Sequence, residues 1–303
     1  MNVFIYANSY DGNSGGILVL HRLCHLINQL EGCRAWLVGA TPLSTNRPDP
    51  KRIAAELKWY VYGKRRFQTN PLWQTPVWQN GKLPDDAVVV YPEVTNGNPL
   101  RAKRVVRWFL HQPGYHTGVI DYGKGELWFK FNSAIDDFSR ADSVLSAHEL
   151  KVIYYPLDIY QPVEGADDNR TLECCHMVRK GTDKPAVHPA GSVAVDGLSH
   201  QEMANVFRRA RRFISYDDYT AYSIFAVLSG CESIVVPGKG RSITDWYPQE
   251  SDRYGLAYGF EPQQLEWAAA TRHKVSEHIL AEHEKSRQNV IQAIDEIRHY
   301  FNQ

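Results

Sequence analysis

Arg179, Lys180 and Gly181 close an apolar run over 172–178 (LECCHMV). Two cations beside a glycine suit a diphosphate, because charge is neutralised while the backbone comes close. They equally suit a solvated basic turn. Farther on, SYDDYTAYSIFAVLSGCESIVVP over 215–237 ends one strand pattern at Asp217 and Asp218 and opens a helical one near Thr220. Backbone amides at Tyr219, Thr220, Ala221 and Tyr222 would there turn the positive end of a helix toward an anion. In the first half of the chain, NSYDGNSGG over 8–16 lies between a strand pattern and a helix pattern, so Gly15 and Gly16 let backbone approach a charged or hydroxyl-rich ligand. The alternative is a tight turn that needs glycine. The spacing is not GxGxxG and no acidic residue follows at a suitable strand end, which counts against a dinucleotide. Glu93 and His111 each follow an apolar run, and either is a candidate general base for an acceptor hydroxyl. A turn carboxylate and a satisfied strand-end histidine are the structural alternatives.

The elements that must position these residues read as α/β. Apolar runs over 3–7, 35–38, 87–91 and 105–110 are nearly continuous, as in parallel strands covered on both faces, and 17–30 has helical periodicity. The second half alternates strand, helix, strand, helix, strand over 172–178, 201–210, 212–215, 219–228 and 233–236, which implies right-handed crossovers in a parallel sheet. Prolines and acidic residues over 155–169 suit an exposed linker. The expected organisation is two Rossmann-like lobes with a long C-terminal helix: residues 1–155, residues 156–280, and a helix over 281–303 that packs back on the first lobe. Residues 60–84 read as an irregular insertion.

Composition excludes several classes. The 303 residues carry 34 Lys plus Arg against 34 Asp plus Glu, so the chain lacks the positive field that general nucleic-acid binding draws on. No apolar run nears the roughly 20 residues that span a bilayer. MNVFIYANSYDG lacks a basic leader and reads at once as a strand, which points to a cytoplasmic protein. Five cysteines sit mostly inside apolar patterns, without CxxC spacing, and are expected as buried thiols rather than zinc ligands.

The succession of RKG at 179–181, the helical HQEMANVFRRARRFIS and then DDYTAYSIFAVLSGCESIVVP resembles the donor-binding half of GT-B glycosyltransferases. YPEVTNGNPL at 91–100 and RWFLHQPG at 107–114 are similar to segments of sugar transferases from bacterial surface-polysaccharide clusters. The resemblance implies a nucleotide-sugar donor held by Arg179, Lys180, Gly181 and residues 219–222, with Gly15 and Gly16 assisting. The acceptor would be a saccharide or lipid-linked hydroxyl, with Glu93, His111 or Asp217 in catalytic roles. Neither metal nor cofactor is expected, and Asp217-Asp218 reads as a hydrogen-bonding loop rather than a metal motif. Many retaining members bracket the donor helix with two acids. Here Asp217 takes the first position and Phe225 the second, so ribose recognition must come from elsewhere.

Three further segments invite comparison. HPAG at 188–191 is similar to the His-Pro motif of transferases that use CMP-activated sugars, or is a surface loop. FRRARR at 207–212 is a solvated helix end, or a contact for the anionic inner face of a membrane. Aromatics in YGLAYGF at 254–260 stack on a donor base or plug a core. A sugar-nucleotide epimerase and a non-catalytic nucleotide-sugar-binding protein are the competing readings.

Overall fold

The computed structural model describes residues 1–40, 67–140, 142–162 and 170–302. Parts of two expected features, the insertion over 60–66 and the linker over 163–169, lie outside these. The chain divides into two compact units, Met1–Tyr154 with His283–Gln303, and Tyr155–Glu282.

In the first unit, β1 (Asn2–Ala7) leads into α1 (Gly15–Ile27), then β2 (Arg34–Gly39), β3 (Val88–Pro92), β4 (Arg104–Phe109), β5 (Leu127–Lys130) and β6 (Val144–Leu145). The strands form one parallel sheet in the order β2-β1-β3-β4-β5-β6. The unbroken apolar runs follow from burial on both faces. Val3, Ile5, Val88 and Val90 pack in one core with Leu20, Leu23 and Ile27 of α1. Phe4, Tyr6, Val89 and Tyr91, one residue out of phase, pack on the opposite face with Trp36 and Trp78. Trp78 belongs to the described part of the irregular stretch, which also bridges Val77 to Leu37 of β2.

A buried ion pair joins β4 to the residue that precedes β5. Arg107 of β4 donates from Nε and Nη2 to Glu126, at 2.7 Å each, and both side chains are buried. The same guanidinium donates to the carbonyls of Thr95 and Gly97 and lies 4.1 Å from the Tyr122 ring centroid. Four of the five N–H donors of this buried cation are thus used, as burial of a charge demands.

The second unit runs β7 (Leu172–Met177), β8 (Val193–Ala194), α2 (His200–Arg209), β9 (Ala210–Ser215), α3 (Tyr222–Leu228), β10 (Glu232–Val235), α4 (Ile243–Trp246), β11 (Leu256–Tyr258) and α5 (Pro262–Thr271). Its parallel sheet has the order β11-β10-β9-β7-β8. Ser199 starts α2 with a capping box completed by Glu202. FRRARR does not form one helix end: α2 stops at Arg209 and β9 begins at Ala210, because Phe207 and Phe213 must enter the same core. Arg208 donates to the carbonyls of Ile159 and Gln161, Arg209 to the Thr171 hydroxyl, and Arg212 pairs with Glu232 at 2.6 Å, so three of the four arginines of that cluster are engaged within the protein.

The helical pattern after Pro262 divides at a 3-10 turn, Arg272–Lys274, before α6 (Val275–Tyr300). Val275 and Ile279 of α6 enter the core of the second unit, and Val290, Ala293, Ile294 and Ile297 enter that of the first. All five cysteines are buried and free. Among the described residues, no helix is long and apolar enough to cross a membrane.

Candidate active site

In both sheets the strand order reverses beside the first strand, between β1 and β3 and between β7 and β9. Connections leave such a point toward opposite faces and open a crevice at the carboxyl ends of the strands.

At the first of these points lies a cavity of about 590 Å³, reached by residues that follow β1, β3 and β4 and by the first turn of α1. It brings together four residues singled out from the sequence: Gly15, Gly16, Glu93 and His111. Gly15 begins α1, and a Cβ there would meet nothing within 4 Å, so the backbone borders open space. Glu93 is buried at the end of β3, where its Oε2 accepts the Leu110 amide at 3.0 Å and its carbonyl accepts the Tyr122 hydroxyl at 2.7 Å. Burial raises its pKa above the ordinary carboxylate value, with the Leu110 amide and the charge of His116 opposing that rise.

The His111 Nδ1 accepts the Gln112 amide at 2.8 Å. A neutral ring held this way keeps its proton on Nε2, which makes that nitrogen a donor. Of the two candidate bases, Glu93 therefore has the better chemistry, and His111 shares the lining of the cavity. His116, not singled out from the sequence, also lines the cavity, its ring 4.8 Å from that of His111.

At the second reversal, Arg179 follows β7 with φ +40°. Its Nε lies 3.7 Å from the Asp217 carboxylate, and its guanidinium lies over the Tyr222 ring at 5.4 Å. Asp217 is buried, whereas Lys180 is exposed. One local expectation, the helix start, needs correction, and two other features gain a structural role. Two backbone amides at the exit of β7 are engaged: Val178 and Arg179 donate to the Asp196 carboxylate at 3.0 and 2.9 Å. Gly181 serves packing, since a Cβ there would overlap the Tyr216 carbonyl oxygen at the exit of β9. The helix does not start near Thr220 but at Tyr222, and it spans seven residues. The Tyr219 amide donates to Asp217 and the Tyr222 amide to the Thr220 hydroxyl, each at 3.3 Å, so two of the four amides over 219–222 are met by nearby side chains. Ala221 is exposed and Thr220 buried.

Sequence reasoning missed the partners that fix this crevice. Lys184 donates to Asp218 at 2.5 Å and to the Val236 carbonyl at 2.7 Å, tying the loop after β7 to the exits of β9 and β10. The histidine of HPAG is not a loose surface residue: His188 stacks on His176 of β7 at 3.7 Å, and its Nδ1 lies 2.7 Å from the Tyr216 hydroxyl. Burial, and next the neighbouring His188, lower the His176 pKa. Phe225, where the resemblance leads one to expect a second acid, is buried against Tyr160 with rings stacked at 4.3 Å, so this position belongs to the core. Among the described residues, no cluster of three or more His, Cys, Asp or Glu is arranged to hold a metal ion. Compared with family models and with curated proteins, the sequence matches no family model and no curated protein.

Proposed function

We propose that the chain is a glycosyltransferase of GT-B type, moving a sugar from a nucleotide-sugar donor to an acceptor hydroxyl, as in surface-polysaccharide synthesis. The observation that carries this reading is the pair of strand-order reversals with opposite chemistry: a buried carboxyl at a cavity in one unit, and Arg179 with the exposed Lys180 in the other. In the reaction the acceptor oxygen forms a bond to the anomeric carbon and gives its proton to the Glu93 carboxylate. The bond from that carbon to the phosphate oxygen breaks, and its electron pair leaves with the nucleoside diphosphate. Arg179 and Lys180 offset the charge gained by the leaving group.

The test is a thermal-shift panel of UDP, GDP, CMP, dTDP and ADP, followed by calorimetry. One nucleotide is expected to raise the midpoint, since ligand at a hundred times Kd stabilises by about 2.7 kcal/mol. Lys180→Ala is expected to weaken that nucleotide by about tenfold, as loss of a charge-assisted contact does. Absence of binding by every nucleotide would remove the reading. Epimerisation of the donor sugar without acceptor would replace it with the epimerase.

A further inference from the structure

The walls of the cavity in the first unit are mainly hydrocarbon. Ile17, Val19 and Leu20 of α1 face it together with Leu110, Phe131 and the ring of Tyr6. Asn8, Ser14, Glu93, Thr95, His111 and His116 supply polar groups to a lining whose exposed surface is mostly apolar, and among the described lining residues there is no lysine or arginine. A saccharide carries a hydroxyl on nearly every carbon, and each one buried against such walls without a partner costs about 1–3 kcal/mol. An apolar skeleton of similar size instead gains about 25 cal/mol for every Å² taken out of water. An anion would meet the Glu93 carboxylate, offset among the described lining residues by histidine and not by lysine or arginine. The volume, about 590 Å³, lies in the usual range for a small-molecule site.

We propose that this cavity binds an uncharged, mainly apolar alcohol or phenol, whose single hydroxyl is met by Glu93 and His111 while its skeleton lies against Leu20, Leu110 and Phe131. The ligand's role as acceptor rests on the transferase reading; its chemical class rests on the cavity alone. Glu93 accepts the hydroxyl proton and the His111 Nε2–H donates to the oxygen, so both polar ends of the hydroxyl are satisfied.

Calorimetry on the full chain with 2-naphthol, naphthalene and methyl glucoside decides the matter. Saturable one-to-one binding of 2-naphthol is expected, at least tenfold tighter than methyl glucoside and tighter than naphthalene, which lacks the hydroxyl. Gly15→Trp, whose side chain starts in open space at the cavity, is expected to abolish that binding while the circular-dichroism melt shows a folded protein. Methyl glucoside binding as tightly as 2-naphthol overturns the proposal, as does 2-naphthol binding untouched by a folded Gly15→Trp. If that variant does not fold, the wild-type comparison decides alone. Nucleotide binding without 2-naphthol binding removes the apolar acceptor and spares the transferase reading. The reverse result supports the ligand class and removes the transfer.

Discussion

Glu93 carries the most informative conflict in the molecule. Its carboxyl is buried and held by a backbone amide, yet it faces a cavity, and burial raises its pKa. A base works only when ionised, so kcat/KM for sugar transfer is expected to fall with acid along a limb above the ordinary glutamate range. Glu93→Gln should lower the rate by about a hundredfold or more and abolish that limb. The stability effect has the opposite sign. A carboxyl whose pKa is higher in the folded state binds more protons there, so its contribution is complete below the unfolded pKa and declines as pH rises through the window up to the folded value. The glutamine variant removes that decline and keeps an oxygen for the Leu110 amide. Its thermal midpoint at neutral pH should equal or exceed that of the wild type. A lower midpoint with an unchanged rate would reduce Glu93 to a tether between the exits of β3 and β4.

The exits of β7 and β9 are the corresponding problem at the level of elements. Gly181 abuts the Tyr216 carbonyl, and backbone cannot yield as a flexible side chain does. Gly181→Ala is expected to cost roughly 2 kcal/mol or more by forcing the two exits apart, read as a lower urea midpoint. Gly15→Ala, with open space around its Cβ, should leave the midpoint unchanged or raise it. A glycine's reason is thus not written in its neighbours along the chain: both positions read as glycine for ligand approach, and only one borders open space. The legible elements were those whose apolar runs are long, such as β1, β3, β4, β7, β9 and α1. β6 and β8 are two residues each, too short for periodicity to register. The α3 start was misplaced because Asp217 and Thr220 bind nearby amides and delay the helix by a few residues. Lys184 and Asp196 were invisible for another reason. They act across separations of 34 and 18 residues, and only the tertiary fold brings their partners near.

At the scale of the whole molecule, the chain passes from one unit to the other at Tyr154–Tyr155 and returns at Glu282–His283, inside α6. That helix is mostly polar in sequence, with an apolar stripe, and its last turns place Val290, Ala293, Ile294 and Ile297 in the core of the first unit. Burying Val290, Ile294 and Ile297 contributes roughly 1.5–3 kcal/mol each. Their sum rivals the stability of a typical domain, about 5–15 kcal/mol. Removal of residues 283–303 should therefore unfold the first unit: rapid proteolysis within residues 1–154, and loss of the near-ultraviolet signal of Trp108 and Trp128, which are fully buried there. Val275 and Ile279 remain in the truncated chain, so the core around Phe207 and Phe225 keeps its helical cover. Nucleotide binding assigned to Arg179 and Lys180 should then outlast 2-naphthol binding in the same sample. Equal loss of both would mean that the second unit cannot hold its crevice without the end of α6, and a truncated chain as stable as the intact one would contradict the core assignment itself.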